Sequence, residues 1–474
     1  MMKIHVLSAT AVSAVLLAAL TACNVAKPPA AISKSKYTEI TEDEHQKLPS
    51  SLRLLTLDEA QTIAIQNNPS FKSRYFAVSQ ARAQYYRRFA YYLPTVTASY
   101  SLSSNHYHGY TEDAGASYKT YTSSPSLSAS LLVFDSFQRE MNLLAARHSW
   151  KQSEQVEQDA RRLLLQNVAY AYNNVMYAKA RRNIALEDMR YNRQLLKETE
   201  LKYGVGASTL SDVLNFKVNY NNAESGLYSA NYSLASSKYA LAALMGLTEG
   251  TIPDDVEFPD QLPADGEMLA DESVYLDAAL SNRPDLKALR EALEVSKFNY
   301  YSSIAAFGPT VTASLGVGYN NSATHYSPFR SDSGYMSHQG INRRRYSTFT
   351  SGLNVSWDLF SGGSTFFNMR ANQAAMEQAE YSLADQWITV INDVRTAYEN
   401  YIVSLKTVKL YQKNLEAVRK MRDLVDDEYE AGNCAITRVN EVQREFVNAE
   451  TYLAQAVVNM HNAKAQILSA TNAN

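Results

Sequence analysis

From Pro94 onward, polar and apolar positions alternate with a period of two. Val96, Ala98, Tyr100 and Leu102 stand against Thr95, Thr97, Ser99 and Ser101. A polar loop with His106, His108, Gly109, Asp113 and Gly115 separates this run from a second, where Leu127, Ala129 and Leu131 oppose Ser126, Ser128 and Ser130. Strand, loop and strand predict a hairpin over about 94–134. The pattern returns at Pro309: Val311, Ala313, Leu315, Val317 and Tyr319 alternate with Thr, Ser and Gly. After a longer loop, Phe349, Leu353, Val355 and Trp357 line one face of the return strand, so a second hairpin is predicted over about 309–360. An apolar face opposite a small polar one describes a wall between lipid and water. Strands of about nine to eleven residues suffice to cross a bilayer at a tilt.

Elsewhere the period is helical. Ala60, Ile63, Ala64 and Asn67 follow Thr56 or Asp58 as the cap, and Asn68-Pro69 predicts a break before helix resumes over about 70–92. After each hairpin comes a stretch without proline and almost without glycine, Gln138–Tyr203 and Ser364–Tyr429. Each predicts a continuous helix on the order of 100 Å long. Val408, Tyr411, Leu415, Val418, Arg422, Val425 and Tyr429 form a heptad seam interrupted by one arginine, and Val168, Tyr172 and Val175 begin a similar one. Gly204 with Gly206, and Gly432 with Asn433, supply turns into return helices over Leu210–Met245 and Ile436–Ala470.

The two hairpins belong to a duplication. Pro-Thr-Val-Thr-Ala-Ser occurs at Pro94–Ser99 and again at Pro309–Ser314, and Pro69 answers Pro284, both at an offset of 215. Tyr203-x-x-Gly206 answers Tyr429-x-x-Gly432 at an offset of 226, so register changes once, in one hairpin loop. The organisation expected is a first repeat over 56–246, a linker over 247–270 and a second repeat over 271–474. The linker holds Pro253, Pro259 and Pro263 among acidic residues and shows no helical period, as if wrapped round the helices.

Composition adds compartment. Lys3 and an apolar run from Val6 to Leu20 read as a signal peptide over 1–22. The run ends in Leu20-Thr21-Ala22-Cys23, the pattern of a lipidated cysteine, and Asn24 favours sorting to the outer membrane. A polar, extended segment over 23–55 follows. With Cys23 lipidated, Cys434 has no partner, so packing must supply stability. The net charge of −3, from 45 basic and 48 acidic residues, gives no support for nucleic-acid binding. Tyr is abundant at 33 residues against 15 Phe and 3 Trp, which suits membrane interfaces. Tyr91, Tyr92, Tyr301 and Trp357 flank the predicted strands as candidate interface aromatics.

Four strands cannot close a membrane barrel, and open edges leave N–H and C=O groups unpaired in lipid. Three chains would supply twelve strands and one helical tube; a dimer's eight would enclose an interior filled by side chains. The expected fold is therefore a homotrimer: a twelve-stranded β-barrel over a coiled-coil α-helical tunnel, built from two structural repeats per chain.

Taken with the lipobox at Cys23, the Asn282-Arg283-Pro284-Asp285-Leu286 motif and the Tyr-x-x-Gly turns, the chain resembles TolC-type outer-membrane efflux proteins of the lipidated branch over about residues 20–470. The resemblance implies a passive trimeric duct, anchored by lipid in the outer membrane and extending into the periplasm. It implies docking on a periplasmic adaptor and an inner-membrane pump, in efflux or type I secretion. It implies a periplasmic mouth at the Tyr-x-x-Gly turns of Tyr203 and Tyr429. Tyr429 then matches a tyrosine that helps hold the mouth shut, Asp212 an acidic partner, and Glu441 one acid of a cation-selective ring. Arg438 stands where the other acid is often found, and Cys434 where a clasp arginine can occur. Arg438 could instead pair with Asp212 or Glu441, reversing the polarity of the clasp.

Other constellations carry less. His106-x-His108 lacks a third ligand, and no metal or cofactor is predicted. Arg343-Arg344-Arg345 borders the second loop, as a contact for outer-leaflet lipid phosphates or as a plain charged loop. No nucleophile elbow, phosphate loop or paired-carboxylate signature is present, so no enzyme is predicted. A structural coiled-coil lipoprotein, a spacer or adhesin, is the competing reading; it has no use for alternating hairpins.

Overall fold

The computed structural model describes Leu48 and residues 52–110, 115–327 and 340–472. The signal peptide, Cys23 and Asp113 fall outside the described residues. Helices α1 (Leu57–Asn67) and α2 (Pro69–Phe89) lead through a 3-10 turn, Ala90–Tyr92, into β1 (Thr95–Tyr110) and β2 (Gly115–Phe134). The long α3 (Gln138–Gly204) and the return helix α4 (Leu210–Leu244) complete the first half. The second half repeats the order: α5 (Glu272–Asn282), α6 (Pro284–Ala305), β3 (Thr310–Ser327), β4 (Gly340–Ser356), α7 (Ser364–Glu430) and α8 (Ile436–Thr471).

Local chemistry sets the boundaries. Thr56 closes a capping box with Glu59: its backbone N–H donates to Glu59 Oε2 at 2.9 Å, while Glu59 N–H donates to its Oγ1. Asn68 ends α1 and caps α2, accepting from Phe71 N–H at 3.0 Å and donating to Leu244 O at 2.8 Å. Pro69 occupies the first helical position, where its missing N–H costs nothing. Arg283-Pro284 repeats the arrangement between α5 and α6.

The four strands form one antiparallel sheet in the order β1-β2-β3-β4. Its register carries Val96 onto Ala129, Ala129 onto Leu315, and Val317 onto Phe349, so the apolar positions share one face. Thr97, Ser128, Gly316 and Thr350 line up on the other. A Cβ added to Gly316 would lie 2.6 Å from Thr350 Oγ1, so the polar face is kept small as well as hydrophilic.

The strands are longer than the nine to eleven residues expected, at 16, 20, 18 and 17 residues. His106, His108 and Gly109 lie in β1 and Gly115 begins β2, so the expected loop is largely strand. Cross-strand hydrogen bonding continues wherever the backbone can pair, in lipid or in water. The apolar alternation therefore marks only the helix-proximal half of each strand.

α3 packs on α2 and α6 near the sheet, and on α4 and α8 along its distal half; α7 packs on α6, α5 and α8. The first core holds Ile63, Val168, Tyr172, Val175, Leu241 and Met245; the second holds Leu286, Val390, Val394, Tyr401, Val408 and Met460. The linker over 247–270 packs on both. Leu247, Ile252, Val256 and Phe258 are buried in the first core, and Leu262, Ala264 and Leu269 pack on the second. Glu257 bridges Leu54 as a parallel strand pair, and Lys179 Nζ donates to the carbonyls of Phe258 and Pro259 at 2.7 and 3.0 Å. Tyr172 donates to Leu55 O and its duplicate Tyr398 to Ala270 O, at 3.0 and 3.2 Å. Both repeats thus tie an extended segment to the long helix with the same tyrosine. Burial pushes the Tyr172 hydroxyl up to about 12.

Candidate functional sites at the two ends of the molecule

At the end away from the sheet, α3 turns into α4 and α7 into α8 by the same device. Gly206 and Gly432 adopt φ of 78° and 76°, the left-handed region that glycine enters without steric cost. Their N–H groups donate to Tyr203 O and Tyr429 O at 2.9 and 3.0 Å. Beside the turns a third core assembles Leu195, Phe216, Val425, Val439 and Val442, with Tyr429 and Cys434 against it.

Tyr429 packs edge-on against Phe216 at 6.4 Å, with Lys202 Nζ 5.0 Å from its ring centre. Burial raises the Tyr429 pKa, the charges of Asp212 and Glu198 add to that, and a hydrogen bond with Thr199 opposes it. Asp212 completes a capping box at the start of α4, accepting from Thr209 N–H and Ser208 Oγ, each at 3.1 Å. Those hydrogen bonds hold its carboxyl below the usual range. Arg438 pairs with Glu441 one turn along α8, Nη1 to Oε2 at 2.8 Å, both about half exposed. Within one chain the structure therefore joins Arg438 to Glu441 and leaves Asp212 to its own helix cap. Tyr203 is 46% exposed at the end of α3. The Cys434 thiol donates to Ala435 O at 3.5 Å, with its side chain against the third core.

Three hydrogen bonds unseen in the sequence tie α7 and α8 to α3 and α4. Tyr191 OH donates to Asp426 Oδ1 at 2.7 Å, Gln443 Nε2 to Asp188 Oδ1 at 2.8 Å, and Asn440 Nδ2 to Asn215 Oδ1 at 2.9 Å. Burial, reinforced by the bond to Asp426, pushes the Tyr191 pKa up. Burial also raises Asp188, against the hydrogen bonds from Gln443 and Asn192. Arg422, the arginine that interrupts the seam, lies 4.0 Å over the Phe446 ring and joins α7 to α8 as a cation–π contact. Arg422 was the one residue of this layer that the seam singled out.

At the junction of helices and sheet, Tyr91, Tyr301 and Trp357 are about half exposed. Trp357 Nε1 donates to Phe307 O at 2.9 Å, which fixes the indole while its ring stays outward. Tyr92 differs: Arg139 stacks 4.1 Å over its ring and its hydroxyl donates to Glu140, so it is engaged within the chain. Phe137, Leu359 and Phe360, between strand and helix, are 62%, 79% and 87% exposed. Sequence alternation missed them because they lie between strand and helix.

A sheet with one apolar face, over helices of 67 residues that end in paired turns, defines a membrane-channel subunit. No helix among the described residues is long and apolar enough to cross a membrane. The family described as outer membrane efflux protein matches residues 62–247 and 275–473. The chain is 25% identical over 360 residues to the alkaline protease secretion protein AprF of Pseudomonas aeruginosa, covering 74% of this chain and 68% of the relative. It is 22% identical over 344 residues to the outer membrane protein TolC of Vibrio cholerae, covering 68% and 75%. The solved structure of the outer-membrane channel OprN superposes with a TM-score of 0.72 at 20% identity, covering 94% of this chain and 97% of that one. The chain belongs to the outer membrane efflux protein family. It is the outer-membrane channel component of an efflux or secretion system.

Proposed function

We propose that three copies form a passive conduit, lipid-anchored through Cys23 in the outer membrane and reaching into the periplasm. A periplasmic adaptor and an inner-membrane pump would deliver cargo to its mouth. The observation that carries this is the sheet itself. β1 and β4 pair on one side only, every residue of β4 is exposed, and apolar side chains occupy one face. In lipid those edges must be satisfied, and β1 of one copy against β4 of the next does so without a gap.

The mouth lies at the turns of Tyr203 and Tyr429. Opening separates the α7/α8 pair from α3/α4, which breaks the Tyr191–Asp426, Gln443–Asp188 and Asn440–Asn215 bonds and the Tyr429–Phe216 contact. Arg438 and Glu441 then contribute one positive and one negative group per copy to the rim. The test is planar-bilayer recording on the full-length protein, with its mass measured in detergent. A three-copy assembly with ion conductance is expected, and Arg438→Ala should increase cation preference because Glu441 loses its partner. A monomeric, non-conducting protein would overturn the conduit; an unchanged ion preference would remove Arg438 from the rim.

A further inference from the structure

The four strands contain no Asp or Glu, yet they carry Lys119, Arg343, Arg344 and Arg345. Register decides where these charges point. Lys119 pairs with His106 on β1 and His325 on β3, Arg343 with Ala323, and Arg345 with Asn321. Counting in steps of two from Leu127, Val317 and Phe349 places Lys119, His325, Arg343 and Arg345 on the apolar face. Arg344, between two of them, falls on the opposite face with Ser322.

On that outward face the chemistry is layered. The apolar rows run out through Tyr100, Tyr319 and Leu102, which are 67%, 45% and 73% exposed, with Ile341, 55% exposed, beyond them in the Lys119 row. Tyr121 follows, edge-on to the His325 ring at 5.8 Å. The cations begin at the Leu102 row, where Arg345 Nε donates to Asn321 Oδ1 at 3.3 Å. With strands ~4.8 Å apart and same-face residues ~6.8 Å apart, Arg345, Arg343 and Lys119 fall within a patch on the order of 15 Å across. No carboxylate in the sheet neutralises it. Apolar rows that give way to mixed rows of tyrosine, arginine and lysine match the passage from acyl chain to interface and anionic headgroup in a leaflet.

We propose that this patch is a lipid-binding site for phosphorylated headgroups in the leaflet farther from the helices, with Lys119, Arg343 and Arg345 as the phosphate ligands. Arginine forks match phosphate oxygens in pairs, and lysine adds a point charge. The proposal rests on the reading that the sheet spans the membrane.

The test measures retention of bisphosphorylated lipid A, and of its dephosphorylated form, by the full-length assembly in detergent, using native mass spectrometry. Preferential retention of the bisphosphorylated form is expected. Lys119→Gln/Arg343→Gln/Arg345→Gln should weaken it at least about tenfold, because three charge-assisted contacts are lost. Arg344→Gln removes the same charge from the same strand on the other face and should leave retention unchanged. Equal retention of both lipids, equal retention by the triple variant, or an equal loss in Arg344→Gln would overturn the site. Complete displacement by millimolar inorganic phosphate would also overturn it, by showing a site for the free anion. Ion conductance of the triple variant in planar bilayers separates the two readings. Its persistence shows an intact barrel, whereas a wild-type protein that fails to conduct defeats the conduit before the lipid site is in question.

Discussion

Arg283 is the side chain on which the join of α6 to α7 turns. It is only 4% exposed and reaches Asp285 through Nε and Nη2 at 3.1 and 2.6 Å, and Asp393 through Nη1 at 3.0 Å. Burial alone would lift the Asp285 pKa, but the bonds and charge of Arg283 outweigh it and hold the carboxyl below its usual range. A carboxylate lowered on folding stabilises fully above its unfolded value, about 3.9, and that contribution is lost as pH falls through the folded value. Arg283→Ala strands a largely buried carboxylate and should cost about 3–5 kcal/mol of helical-domain stability at neutral pH. Thermal unfolding followed by circular dichroism checks this, and Arg283→Met/Asp285→Leu should recover much of the loss. Ser136 and Phe137 present the opposite case. They enter α3 at φ of 57° and 68°, where the duplicate positions are Gly362 and Gly363 at 66° and 84°. A left-handed L-residue costs about 1–2 kcal/mol, and Phe137 is largely exposed, so little packing offsets it. Phe137→Gly should therefore raise stability by about 1 kcal/mol in the same measurement.

Among elements, the helices were legible almost to the residue because nothing in them contradicts the period. Gln138–Tyr203 became Gln138–Gly204, and Ser364–Tyr429 became Ser364–Glu430. Strand lengths were not legible, since alternation records only which residues meet lipid. Ser103, Asn105 and Thr324 pair as well as Val96 does. Which linker residues pack was not legible for a related reason: Ile252, Val256 and Phe258 are buried at irregular spacing, and irregular burial leaves no period to detect. At the mouth, the turn glycines and Tyr429 stood out, whereas Asp188 and Tyr191 look like ordinary helix residues until their partners arrive from 235 or more positions away. That pairing carries its own prediction. The raised Asp188 pKa means folding disfavours the charge, a penalty present above the folded pKa and lost as pH falls to the unfolded value. Both donors, Asn192 and Gln443, meet Oδ1, an atom that Asn also offers. Asp188→Asn should raise the melting temperature at pH 7, and the advantage should vanish in acid. A lower melting temperature at pH 7 would show that the charge itself holds α3 to α8.

For the whole molecule, the decisive property is that one sheet has two solvents. Leu315 and Ser128 sit on adjacent strands in neighbouring rows, yet register puts Leu315 with Ala129 on the apolar face and Ser128 with Thr97 and Gly316 on the polar one. A barrel made from three such sheets converts that difference into a difference of kind. Leu315→Arg places a guanidinium against acyl chains in every copy, at about 2–4 kcal/mol per copy near the bilayer midplane. The expected result is failure to assemble in vesicles, read as loss of the heat-resistant trimer on gels. Ser128→Arg adds three positive charges to the water-filled interior, where Gly316 leaves room beside them. Assembly should be retained while single-channel conductance falls and selectivity shifts toward anions, because a ring of fixed cations repels its own sign. If Ser128→Arg blocked assembly and Leu315→Arg only altered conductance, the sheet would be inside out relative to the membrane. The outward-facing phosphate ligands would then lie in the lumen.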